Sequence, residues 1–162
     1  VNKQEEVRAT VQALDADQLR AALACLNAAH VVEVAAASHN LSIALEASVK
    51  FGSLGKRCVA SAIPEKTRAF AATLTKNDLL LVISGTGRNP ALEEVARLGP
   101  GKTGQAILLV TSDRHSPLAS RRIMSCWLPT GSSASLRATM LPPQLSVLLV
   151  IEVLYYLMLL GE

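Results

Sequence analysis

Aromatic residues are scarce in this chain, at 3% of 162 residues, although half of all residues are hydrophobic. Ala, Leu and Val supply most of the apolar mass, which argues against a β-sandwich rich in Tyr, Trp and Phe and for Ala-rich helices, alone or on a sheet. Charge of one sign is never concentrated: the 16 Lys and Arg are scattered and the net charge is only +3. Without a basic run or interleaved aromatics, this segment is not expected to contact DNA or RNA itself. Cysteine is also sparse. Cys25, Cys58 and Cys126 are far apart and form no CxxC pair, and there are only three His. A disulfide framework and a zinc site are therefore not expected, and no metal or cofactor is implied. The first 20 residues are polar and charged, unlike a signal peptide. The one long apolar run, Leu145 to Leu160, is broken by Glu152 and is shorter than the roughly 20 residues that span a bilayer. A cytoplasmic chain without a membrane partner is the expectation.

Two familiar nucleotide loops are missing as well. Gly99-Pro100-Gly101-Lys102-Thr103-Gly104 lacks the spacing of a Walker loop and reads as a surface turn. Ala35 to Asn40 contains no glycine, so a dinucleotide fingerprint is absent.

What is present is alternation. Residues 1 to 29 read as helix, with Asp15 or Asp17 capping a second segment that begins near Gln18. Val31 to Ala37 reads as a strand ending in the turn Ser38-His39-Asn40. Leu41 to Phe51 follows as helix, Arg57 to Ala60 as strand and Pro64 to Leu74 as helix. Leu79 to Ile83 is a continuous apolar run, the pattern of a strand buried on both faces. It leads into Ser84-Gly85-Thr86-Gly87-Arg88-Asn89. Then come a helix from Pro90 to Leu98, stopped by Gly99-Pro100-Gly101, and a strand from Ala106 to Val110. A short helix is expected at Ser116-Pro117-Leu118-Ala119 and a strand at Cys126 to Pro129. A loop over 130 to 144 precedes a last helix, Leu145 to Leu160. Strand and helix alternate about five times, which predicts an α/β three-layer sandwich: a five-stranded, mostly parallel sheet flanked by helices, in one domain over residues 1–162. Ligands of such sheets bind beyond the carboxyl ends of the strands.

Polar groups gather at those ends. The first strand leads to Ser38, His39 and Asn40, the third to Ser84, Thr86, Gly87 and Asn89, and the fourth to Thr111, Ser112 and His115. Gly85 and Gly87 let the backbone come close in the Ser84–Asn89 turn, the hydroxyls can donate, and the helix from Pro90 directs N–H groups at it. A phosphate monoester suits that chemistry; an ordinary capped strand-to-helix loop has the same residues.

The run Leu79 to Asn89 resembles the SIS (sugar isomerase) motif, a strand followed by Ser-x-Ser-Gly-x-Thr. Ile107 to Ser112 followed by Ser116-Pro117-Leu118-Ala119 is similar to that family's second signature. The resemblance covers roughly residues 15 to 160 and is greatest to the effector domain of RpiR-type transcriptional regulators, through Leu14 to Leu19, the stretch from Gly55 to Ser84, and Leu149 to Tyr155. It implies the SIS, flavodoxin-like fold and a sugar phosphate ligand, with phosphate-binding roles for Ser84, Thr86, Gly87 and Asn89. Asn40 aligns with the Ser of a Gly-x-Gly-x-Ser turn whose glycines are replaced here by Ala36 and Ser38, and Ile123 stands where the family has Asp. Ser38, His39, Thr111, Ser112 and His115 are further pocket candidates. The resemblance implies a homodimer or tetramer in which a helix-turn-helix domain outside this sequence touches DNA, with residues 1–14 as linker or first helix. Tyr155 and Tyr156 mark a dimer face or core packing. Other readings are a small aldose–ketose phosphosugar isomerase of the hexulose-phosphate type, with His39 or His115 as base, or a SIS domain that only dimerises. An isomerase needs a base near neutrality, and no Asp or Glu occurs between Arg114 and Ile151.

Overall fold

In the computed structural model, which describes residues 2–98, 106–120, 123–127 and 144–161, the helical start is two helices, α1 (Lys3–Ala13) and α2 (Ala16–Ala28). Asp15 sits between them in extended geometry and accepts from Asp17 N and Gln18 N at 2.8 and 3.0 Å, so it caps α2. Strand β1 (Val31–Ala36) runs into one 3₁₀ turn (Ser38–Asn40), which continues as α3 (Leu41–Ser53). Then follow β2 (Arg57–Val59), α4 (Pro64–Ala71), β3 (Leu79–Ile83), α5 (Pro90–Leu98), β4 (Ala106–Thr111), β5 (Ile123–Trp127) and α6 (Gln144–Leu160). Among the described residues no helix is long and apolar enough to cross a membrane.

The strands form one five-stranded sheet in the order β2-β1-β3-β4-β5, and every neighbouring pair is parallel. Side chains alternate across it. Leu79, Leu81 and Ile83 of β3 and Leu108 and Val110 of β4 face a core completed by Ala22 and Leu26 of α2, Ala44, Ala47 and Phe51 of α3, and Val147, Val150, Ile151 and Leu154 of α6. Leu80, Val82, Ile107 and Leu109 face the opposite core, made with Ala71 of α4, Leu92, Val95 and Ala96 of α5, and Leu118. All five residues of β3 are essentially inaccessible to solvent. Burial of each such side chain contributes roughly 1.5–3 kcal/mol. This explains why the strand reads as an unbroken apolar run rather than an alternating one.

Two expected elements differ. Ser116 to Ala119 form turns instead of a short helix: the Leu118 N–H donates to Gly87 O at 3.4 Å, and the Ser116 hydroxyl accepts from Ala119 N at 3.3 Å. The last strand spans Ile123–Trp127, earlier than expected, because its register on β4 starts at Ile107↔Ile123 and ends at Thr111↔Trp127. Ile123 therefore lies at the start of β5. The expected stop at Gly99 to Gly101, the Gly99–Gly104 turn, Leu128 and Pro129, and the loop over 130–143 lie outside the described residues.

One polar side chain is misplaced for a core. Glu33, in the middle of β1, is 2% exposed, and its Oε2 has no hydrogen-bond partner. Alternation puts it on the α4–α5 side with Val31 and Ala35. Burial pushes its carboxyl up to about 8, so it is protonated at neutral pH.

Candidate functional site

In the strand order 2-1-3-4-5, chain connections leave β1 and β3 toward opposite faces of the sheet, and a crevice opens between their carboxyl ends. A cleft of about 270 Å³ lies there. One wall is Ala37, Ser38, His39 and Asn40 after β1. The other is Ile83, Ser84, Gly85, Thr86 and Asn89 after β3, with Leu92 of α5.

The β3 wall is a tightly bonded turn. The buried Ser84 hydroxyl accepts from Gly87 N at 3.0 Å, and the Thr86 hydroxyl accepts from Arg88 N at 3.3 Å. Both hydroxyls keep their own protons for an external acceptor. Gly87 has φ 63°, and a Cβ there would lie 2.1 Å from Ser116 Oγ. Only glycine combines that dihedral with so close an approach.

Thr111 and Ser112 do not line the cleft. They hold the turn from the β4 side: Gly85 O accepts from Ser112 N at 3.0 Å, from Ser112 Oγ at 2.6 Å and from Thr111 Oγ1 at 3.3 Å. A trans peptide sets its C=O and the following N–H antiparallel. Locking Gly85 O onto β4 therefore turns the Thr86 N–H away from β4, to the cleft side. The N–H groups of Gly85, Thr86 and Asn89 have no acceptor among the described residues.

Asn89 and α5 depart from expectation. Asn89 Oδ1 accepts from Ala91 N at 3.0 Å and Leu92 N at 3.2 Å, Glu93 N bonds Asn89 O at 2.9 Å, and Pro90 has no N–H. The first turn of α5 is thus capped internally, and free donors come from the turn rather than from the helix. Asn89 offers the cleft its Nδ2 donors and its backbone N–H.

His115 is exposed and outside the cleft; its backbone N–H donates to Asp113 Oδ1 at 2.9 Å. That bond holds the Asp113 carboxyl below its ordinary range against the opposing effect of burial, and the Arg88 guanidinium, 2.9 Å away, adds to the lowering. Arg88–Asp113 ties the β3 and β4 turns together and pairs the charge of the arginine in the Ser84–Asn89 turn. Sequence reasoning missed this pair, although opposite charges in two turns at one sheet edge were a usable signal.

The β1 wall is less satisfied. Ser38 has φ 54°, a left-handed conformation uncommon for a side-chain-bearing residue. Asn40 is 4% exposed, yet its Oδ1 has no partner, and neither has the buried Nε2 of His39. Asn40 stands at the start of α3 but makes no side-chain cap bond. Both residues line the cleft, and each carries a buried polar atom that the chain itself leaves without a partner. No carboxylate lines the cleft among the described residues, and no group of His, Cys, Asp and Glu among them is placed to hold a metal ion.

Glu152, on α6, pairs with Lys50 at 2.8 Å, and Lys50 lies 4.9 Å over the Tyr155 ring. Tyr155 packs against the α2–α3–α6 core and Tyr156 is exposed.

Comparison with known proteins gives a family and a fold. The family model described as SIS domain matches residues 26–151. No curated protein matches in sequence. Among solved structures, the Vibrio vulnificus NanR protein complexed with ManNAc-6P is similar with a TM-score of 0.78 at 17% identity, covering 97% of this chain and 59% of that one. The sugar isomerase domain of an RpiR transcription factor from Sphaerobacter thermophilus gives 0.80 at 17% identity, covering 98% and 86%. A Methanococcus jannaschii protein with an inferred 3-hexulose-6-phosphate isomerase function gives 0.74 at 14% identity, covering 99% and 92%. At these identities the likeness is one of fold.

Proposed function

Since this chain belongs to the SIS domain family, we propose that its β1–β3 cleft binds a sugar phosphate and that it serves as the sensing domain of an RpiR-type transcriptional regulator. The observation that carries this reading is the Gly85 peptide. Its carbonyl is held by Thr111 and Ser112, so the Thr86 N–H turns to the cleft side beside the hydroxyls of Ser84 and Thr86, and the N–H groups of Gly85 and Asn89 have no acceptor among the described residues. Neutral donors fixed before binding suit a phosphate monoester without a metal. The β1 wall then meets the carbon chain, with Asn40 Oδ1 accepting from a hydroxyl. Regulators of similar fold support the sensing role, with DNA contacted by another domain and the ligand acting through its different affinities for two states.

A second reading, an aldose–ketose isomerase, has one observation in its favour: His39 lines the cleft and its buried Nε2 has no partner. The absence of a lining carboxylate among the described residues makes binding the better reading.

Thermal and chemical denaturation with a panel of hexose and pentose phosphates tests the proposal. A ligand at 100 times its Kd adds about 2.7 kcal/mol. Ser84→Ala with Thr86→Ala is expected to abolish the shift. Full retention by that double variant would overturn the phosphate assignment, and turnover of any panel member would favour the isomerase.

A further inference from the structure

The β1 wall is held by few bonds. Asn40 N donates to Ala37 O at 3.3 Å, and Leu41 N donates to Ser38 O. His39 O accepts from Ser42 Oγ at 3.3 Å and from the side-chain amide of Gln144. Gln144 belongs to the first turn of α6, and its bond is the one that reaches the wall from another element among the described residues. Ser38 is left-handed and a buried polar atom of both His39 and Asn40 is unpaired, so the Gln144 bond weighs in the balance between this conformation of the wall and a relaxed one.

Two residues further on, the same helical turn grips α1. Ser146 is 1% exposed. Its N–H and hydroxyl lie 3.2 and 3.3 Å from Glu6 Oε1, and its Oγ is 2.8 Å from Thr10 Oγ1, whose own proton goes to Glu6 O at 2.7 Å. Glu6 therefore caps α6 from a different helix, a favourable place for a negative charge. One stiff helical turn thus carries a bond to the cleft at one end and a buried polar knot to α1 at the other.

We propose that Gln144 is a positioning residue for the β1 wall and that the first turn of α6 transmits the wall's conformation to α1. A ligand seated against His39 and Asn40 holds the wall as seen, keeps His39 O on Gln144 and so tightens α1. By reciprocity, anything that holds α1 favours ligand. The ligand step rests on the sugar phosphate reading; the mechanical link does not.

Hydrogen exchange on the whole chain separates the two. Without ligand, Gln144→Ala is expected to speed exchange of amides 38–42 and of α1 amides 3–13 by about fivefold, the equilibrium worth of one hydrogen bond, leaving β3 and β4 unchanged. Ser146→Ala is expected to loosen both segments too. In series, the double variant loosens α1 no more than Ser146→Ala alone. Unchanged α1 exchange in Gln144→Ala overturns the proposal, as do independent, multiplying effects in the double variant. N-acetylmannosamine 6-phosphate and inorganic phosphate serve as probes. Slower α1 exchange with a probe in the wild type, but not in Gln144→Ala, supports transmission; equal slowing in both overturns it. A probe that protects none of amides 84–89 counts against the phosphate reading, while the ligand-free arm still decides the link.

Discussion

Replacing Glu33 by Gln removes a titratable group from the middle of the sheet while nearly keeping its shape. Glu33 is 2% exposed, its Oε2 is unpaired, and burial raises its carboxyl from an ordinary 4.5 to about 8. Its folded-state pKa lies above its unfolded one, so the unfolded chain releases the proton first as pH rises. The stability associated with the neutral group is complete below pH 4.5 and drains away until pH 8, at up to about 1.4 kcal/mol per unit. Between pH 5 and pH 7 this amounts to roughly 2–3 kcal/mol, a large part of the roughly 5–15 kcal/mol that holds a domain together. Urea unfolding of both chains at half-unit steps from pH 5 to pH 8 isolates the effect, because other titrations cancel in the difference. Glu33→Gln is expected to gain on the wild type steadily over this window. A difference that stays flat with pH would mean that Glu33 is ionised at its ordinary pKa, and would refute the dry, unpaired environment assigned to it.

Two other substitutions address the cleft walls. Gly87→Ala places a methyl 2.1 Å from Ser116 Oγ and 2.5 Å from Ser116 Cβ, at a φ of 63°; a loss of more than about 2 kcal/mol is expected in denaturant titrations, and a loss within error would contradict the close approach. Ser38→Gly removes the side chain from a residue at φ 54° and is expected to raise stability by about 0.5–1 kcal/mol, read as a higher urea midpoint at unchanged slope; a lower midpoint would count against strain at this position.

Sequence conveyed the frame well because the frame follows from periodicity. Leu79 to Ile83 announced a doubly buried strand, and the alternation of elements led to a five-stranded parallel sheet with helices on both faces. Proximity was harder to read. Thr111 and Ser112 end a strand as Ser84 and Thr86 nearly do, and nothing in their identity says that they bond Gly85 O from behind instead of facing the cleft. Asn89 has a donor and an acceptor; only the start of α5 decides that the acceptor caps the helix. Ser116 to Ala119 carries local helix chemistry, but the tertiary bond from Leu118 N to Gly87 O makes it a turn. Glu33 and Gln144 gave no signal, since the burial of one and the reach of the other arise from packing between distant segments.

The two walls of the cleft are encoded far apart, with α3, β2 and α4 between them, and although β1 and β3 pair side by side as far as Ala36 and Ile83, the loops beyond are fastened to different elements. Gly85 is fastened to β4 and Gly87 to Ser84, whereas Ala37 to Asn40 are fastened to α3 and α6. For inheritance this separates two kinds of change. A gene can accumulate substitutions in the first loop, Ala37 to Asn40, without touching the bonds that hold Ser84 to Asn89. One wall of the cleft can therefore be varied by mutation while the other is passed on intact.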